Sequence, residues 1–268
     1  MQTTSAVSGL AVPSAAPAAA PSAYWVLRIG AALCFIGHGA FGFITKTSWI
    51  PYFGVVGIPA AWAVDLMPVI GAIDVLAGMA LLFGPTRLPV MYMVVWALWT
   101  ALLRPLAGES AFETLERAGN YGVPLAFLLL GGMPKSWRDS FSELPARSTA
   151  MNADRRVESV LQWTTCLLLL GHGALGVMGK SLLTGHYEAI GLSPAATPLI
   201  GWLELGLAVM VAARPSAGLL AFIAGWKLAS ESLFLAAGAP IWEFVERGGS
   251  YAAPAALAFM LARRRRPD

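Results

Sequence analysis

Apolar blocks of about 20 residues leave a chain few ways to fold, because that is the length at which an α-helix crosses a hydrocarbon core of roughly 30 Å. Here such blocks run near 24–45, 61–83, 88–107 and 119–133 and, after a polar stretch, near 159–179, 195–213, 217–238 and 249–262. The blocks 119–133 and 249–262 are short, which predicts helices that are tilted or buried against neighbours. Gly84-Pro85 and Arg214-Pro215 mark tight turns within each set. Charged residues make up only 12% of the chain, against about 25% in soluble domains, and no polar stretch is long enough to build a separate domain. The expected fold is therefore an all-α integral membrane protein with eight transmembrane helices.

Charge placement predicts the orientation. Arg87, Lys135, Arg138, Arg147, Arg155, Arg156, Arg214 and Arg263 to Arg266 collect on one face, which by the positive-inside rule is cytoplasmic, as are both termini. The basic run after the last block reads as a stop beside anionic lipid, so the lipid bilayer is the expected partner and nucleic acid is not. The Ala-, Ser- and Pro-rich residues 1–23 lack the parts of a signal peptide and predict a disordered cytoplasmic tail. Residues 134–156 read as a cytoplasmic linker and 263–268 as a basic cytoplasmic tail. Cys34 and Cys166 fall inside spans and form no CxxC motif or disulfide framework.

Self-comparison reveals a duplication. Gly37-His38-Gly39-Ala40-Phe41-Gly42 recurs as Gly171-His172-Gly173-Ala174-Leu175-Gly176, with Lys46 recurring as Lys180, an offset of 134 residues. After a shortening of the first outer loop, Ile70 to Asp74 match Ile200 to Glu204 at an offset of 130. That offset holds through Glu113, Glu116, Arg117, Gly119, Tyr121 and Pro124, which match Glu243, Glu246, Arg247, Gly249, Tyr251 and Pro254. The expected architecture is two parallel four-helix repeats, 24–133 and 157–262, related by an axis along the membrane normal. A unit of this kind also tends to pair, so a homo-oligomer is an expected partner.

His38 and His172 lie between glycines in the first span of each repeat. Three readings stay open for them: a hydrogen bond across a helix interface, a quinone or substrate partner, and axial ligation of haem b. Asp74 and Glu204 sit mid-span, where a carboxyl must be protonated, paired or solvated; proton handling and a structural bond, for example to Trp96 or Trp226, are both open. His186, whose aligned position is Tyr52, has no counterpart and is left out.

Glu113 to Arg117 and Glu243 to Arg247 are i,i+4 pairs with the acid first, the favourable order on a helix. They form either an ion-pair network that seals the short fourth helices or, with Arg104, Lys46 and Lys180, a vestibule that attracts a small anion. Candidate substrate-binding residues are therefore Lys46, Lys180, Arg104, Glu113, Glu116, Arg117, Tyr121, Glu243, Glu246, Arg247 and Tyr251, and the catalytic candidates are His38, His172, Asp74 and Glu204. No metal-ligating motif is present. Arg104 aligns with Phe234 and Ala101 with Glu231, so one repeat is open to an active role and the other to a structural one.

The four-span unit with a GHG-type first helix, a lysine in the outer loop, an acid in the second span and a polar segment before the fourth resembles the DoxX-like (DoxX/DoxD) membrane protein family. The resemblance covers 24–133 and again 157–262. Its DoxD-type relatives belong to thiosulfate:quinone oxidoreductases, and the duplication departs from simple four-helix members. The resemblance implies an inner-membrane, quinone-linked oxidoreductase with a periplasm-facing site. In that scheme the arginines attract a sulfur oxyanion, the histidines bond quinone oxygens, and Asp74 and Glu204 relay protons, with a membrane redox partner. A proton-coupled small-solute transporter and a non-catalytic assembly factor are the alternatives. No nucleotide loop, HExxH motif or Ser/His/Asp order supports soluble-type hydrolase chemistry.

Overall fold

The computed structural model describes residues 21–145 and 151–264, and what the sequence predicts for 1–20, 146–150 and 265–268 lies outside the described residues. The chain is helical, with α1 Pro21–Phe43, α2 Ile50–Val55, α3 Ala60–Phe83, α4 Arg87–Leu106, α5 Phe112–Glu116 and α6 Ala118–Gly131 in the first half. In the second half α7 Met151–Val177, α8 Ser181–Glu188, α9 Ala196–Ala213, α10 Ala217–Ala236, α11 Ile241–Val245 and α12 Gly248–Arg264 follow in the same order. Among the described residues there is no strand, only an isolated bridge between Thr86 and Glu143.

Six helices are long and apolar enough to cross a membrane, in α1, α3, α4, α7, α9 and α10, and they make this a multi-pass membrane protein. Their outward positions suit lipid: Leu76, Phe83, Val95, Leu199 and Val209 are all exposed and apolar. The two short blocks behave differently. α6 has 14 residues and α12 has 17, and both run through the interior, with Val123, Ala126, Phe127, Ala253, Ala256 and Leu257 buried. They are therefore helices sealed by neighbours, and each is preceded by a five-residue helix, α5 or α11, that turns the chain into it.

Because hydrocarbon offers no hydrophobic drive between helices, close backbone approach has to hold these together. A Cβ placed on Gly71 would lie 2.5 Å from the carbonyl oxygen of Gly39, and one on Gly201 would lie 2.6 Å from that of Gly173. The glycines next to each histidine thus set how tightly α1 meets α3 and α7 meets α9. Contacts then cross between halves: α1 packs on α12, and α7 on α6. At the end carrying Arg87, its guanidinium donates to the carbonyls of Gly131 and Gly132 at 3.0 and 2.8 Å, tying α4 to the end of α6. Arg28, buried in α1, donates to the carbonyls of Leu81 and Leu82 at 2.7 and 2.8 Å and stacks on Trp25.

Candidate functional site

The opposite end of the bundle carries the two Glu-rich segments, and there the halves exchange ion pairs. Lys46 reaches Glu243 at 2.7 Å and Glu246 at 3.7 Å, while Lys180 reaches Glu113 at 2.7 Å and Glu116 at 3.4 Å. Arg117 binds Glu113 and Glu116 at 2.8 and 3.0 Å, and Arg247 binds Glu243 and Glu246 at 2.8 and 2.9 Å. Tyr121 and Tyr251 donate to the carbonyls of Thr114 and Phe244 at 3.3 and 3.4 Å, pinning each short helix to the one that follows. Arg104 is taken by Glu109 at 3.0 Å. Each of these cations is thus engaged by carboxylate, the geometry of a sealing network.

The charges shape one another. Burial pushes the Glu246 carboxyl up, yet His38, Lys46 and Arg247 together hold it down to about 2. Glu116 is likewise held well below the usual carboxylate range against the cost of burial, by Arg117, Lys180 and His172. This cluster can assemble only because Gly37 and Gly171 have no side chain. A Cβ on Gly37 would lie 2.6 Å from the Cα of Glu246, and one on Gly171 would lie 2.6 Å from the carbonyl carbon of Leu115.

Beneath the network the halves diverge. In the first half a cavity of about 300 Å³ lies between α1, α3, α4 and the loop helix α2, at the lower end of the roughly 300–1,000 Å³ typical of ligand pockets. Its walls are mostly apolar and rich in aromatic rings, with Phe35, Trp49, Tyr52, Phe53, Trp96 and Trp99. Its polar groups are few and convergent: His38, Asp74, Thr100, Arg104, Arg117 and Asn120. Trp49 stacks on His38 with ring centroids 5.9 Å apart, and the Nδ1–H of His38 donates to the carbonyl of Cys34 at 2.8 Å. Its Nε2 faces Glu246 Oε2, which has no hydrogen-bond partner, at 3.7 Å. Asp74 accepts from the Tyr92 hydroxyl at 2.7 Å, and Trp96 lies against the same carboxylate. Tyr52 hydrogen-bonds Glu109 and lies under Arg104, 5.0 Å from the guanidinium carbon; burial is the main cause that pushes its hydroxyl up to about 12.

In the second half the same positions are filled. Glu204 binds His172 Nδ1, accepts from Trp226 at 2.8 Å and lies 3.6 Å from Lys227 Nζ. Lys227, fully buried, also lies 3.0 Å from Glu231 Oε1, close enough for strong attraction though without the alignment of a good hydrogen bond. Glu231 in turn accepts from Arg247 Nε at 2.9 Å. Lys227 aligns with Ala97 and Glu231 with Ala101. Where Arg104 pairs with Tyr52, Phe234 packs on His186 with centroids 4.0 Å apart. Burial, reinforced by Arg247, pushes that imidazole down to about 4.

Of the residues singled out in the sequence, His38, Asp74, Arg104 and Arg117 therefore line one cavity. His172 and Glu204 form a buried pair, and Lys46, Lys180, Glu113, Glu116, Glu243, Glu246 and Arg247 belong to the ion network, with Tyr121 and Tyr251 bracing it. Asp74 and Glu204 bond to Trp, Tyr and His side chains, and Asp74 also lines the cavity. The two ring nitrogens of His38 face the Cys34 carbonyl and the Glu246 carboxylate. Among the described residues no group of three or more His, Cys, Asp or Glu is placed to hold a metal ion. Sequence reasoning missed Trp49, Tyr52, Tyr92 and, above all, Lys227, a charge in mid-span that was visible as such. Comparison with family models, curated proteins and solved structures finds no match for this chain.

Proposed function

We propose that this chain is a DoxX-like inner-membrane protein, built as two parallel four-helix units with both termini cytoplasmic, whose first unit binds the head group of a membrane quinone. The observation that carries the reading is the aromatic cavity beneath the ion network, with His38 and Asp74 on its wall and an apolar approach past Phe53, Val56 and Ile58. A quinone ring is flat, apolar on its faces and hydrogen-bonding only at its oxygens, which matches aromatic walls with a few converging polar groups. The paired-unit architecture draws support from Gly119 and Gly249, matched in sequence, which meet where α6 crosses α12, and from the reciprocal lysine pairs.

As an oxidoreductase the protein would pass two electrons and two protons to the quinone to form quinol, with the electrons coming from a reduced sulfur oxyanion or a membrane redox partner. The geometry favours the quinone side of that scheme, since the cations meant for the oxyanion are all engaged.

The test is quenching of tryptophan fluorescence by decylubiquinone in detergent-purified protein. Saturable quenching is expected, weakened in His38→Ala, which removes an imidazole from the cavity wall, and abolished in Thr100→Trp, which fills the cavity. Absence of saturable binding, or binding unchanged in Thr100→Trp, contradicts the reading.

A further inference from the structure

The second half shows what the cavity of the first half is built to hold. Lys227 and Glu231 occupy the place matched by Ala97 and Ala101, and they make two contacts that the first half lacks. The Lys227 ammonium presents a donor to the acid, 3.6 Å from Glu204 Oε1, and the Glu231 carboxylate presents an acceptor to the arginine, 2.9 Å from Arg247 Nε. In the first half the acid and the arginine are retained as Asp74 and Arg117, both on the cavity wall. Arg117 keeps its Nη1 contacts to Glu113 and Glu116, but no carboxylate stands at the position of Glu231. The missing pair carries no net charge, so what replaces it should be uncharged overall, with a donor at one end and an acceptor at the other.

We infer that the first-half cavity binds the reduced form of its ligand, a hydroquinone ring that donates one hydroxyl to Asp74 and accepts from Arg117 at its second oxygen. Lys227 and Glu231 act as the tethered stand-in for that ring in the second half. This rests on the quinone reading and sharpens it in three respects. The ring has a fixed direction, the chain holds one ring, and the quinol is preferred because a quinone has no hydrogen to donate to Asp74. The carboxylate can take a further donor beside Tyr92 and Trp96, since its two oxygens have about four lone-pair sites.

The experiment is anaerobic calorimetric titration of the full chain in detergent with decylubiquinol and, separately, decylubiquinone. The expected result is one quinol per chain, bound about tenfold tighter than the quinone, the upper end of the worth of one hydrogen bond. Asp74→Asn should remove most of that preference. Ala97→Lys with Ala101→Glu should abolish binding while elution volume and helical circular dichroism stay as in the parent, because the fold already holds this pair at the matched place. Lys227→Ala with Glu231→Ala should raise the stoichiometry to two. Equal affinity for quinol and quinone overturns the inference, and so does quinol binding that survives Ala97→Lys with Ala101→Glu. If the parent binds neither form, the quinone reading itself fails. If it binds both equally, only the direction and the redox preference fail. Should Lys227→Ala with Glu231→Ala not fold, the plugged first half still decides between these outcomes.

Discussion

The two halves share a backbone plan and differ in what they do with its interior. In both, glycines bring the first helix onto the second, a lysine crosses to the glutamates of the other half, and a mid-span acid meets a tryptophan. In the first half the space beyond that acid is open and aromatic; in the second it is filled by a lysine and a glutamate that satisfy acid and arginine at once. On the proposed reading, a ligand site in the first half and the structural ion pair in the second are alternative solutions to the same problem. A carboxylate and a guanidinium turned into a low-dielectric interior need partners, and these come either from the chain or from a bound molecule.

That comparison can be broken most sharply at Glu231. Glu231→Ala leaves Lys227 buried with only Glu204 at 3.6 Å, and should cost about 3–5 kcal/mol in reversible unfolding in detergent. Removing both members of the pair should cost much less, and a double variant as damaged as the single one would show that Lys227 is not what Glu231 compensates. The mid-span acids come next. Glu204→Gln weakens contacts to His172, Trp226 and Lys227 and should cost about 1.5–3 kcal/mol, whereas Asp74→Asn, with Tyr92 and Trp96 only, should cost about 1 kcal/mol. Equal losses would erase the distinction between the halves at this depth.

Where the halves are alike, their responses should match. Gly71→Ala and Gly201→Ala each force a methyl against a facing backbone carbonyl and should destabilise by a similar amount, about 1–3 kcal/mol, read from the same unfolding transitions. A further effect concerns pH and is read at His186 in the second half. His186 is held down to about 4, so between that value and its unfolded value of about 6.5 the unfolded chain binds the extra proton. Its contribution is complete above about 6.5 and is lost as pH falls toward 4. The melting temperature should drop across that window, and His186→Phe should flatten the drop; an unchanged slope would show that His186 is not its source.

Much of the frame was legible in the sequence, because apolar run length reports directly on helices in lipid. The long helices fall within a few residues of the expected blocks, except that α7 begins earlier, at Met151. The i,i+4 pairs at Arg117 and Arg247 stand as their spacing required. The site was only half legible. His38, Asp74, Arg104 and Arg117 were visible as polar groups in apolar surroundings, but whether a polar group borders a cavity depends on the volume of what faces it, and spacing is silent about volume. The signal lay in coupled differences between matched positions. Tyr52 with Arg104 becomes His186 with Phe234, and Ala97 with Ala101 becomes Lys227 with Glu231. Each exchange looks arbitrary singly and makes sense only when both members are seen to touch. The cross-half ion pairs were not legible for a related reason: counting cations does not reveal which carboxylates will reach them from the other half.

The most direct measurement of the central claim is photolabelling of the purified full chain with an azido-quinone, followed by mass-spectrometric mapping of the adducts. The account predicts adducts confined to the first half, on the segment around Trp49 to Ile58 and on α4 between Trp96 and Arg104, and competed away by excess quinol. Labelling of α8 and α10 to the same extent, or adducts that excess quinol does not displace, would contradict it.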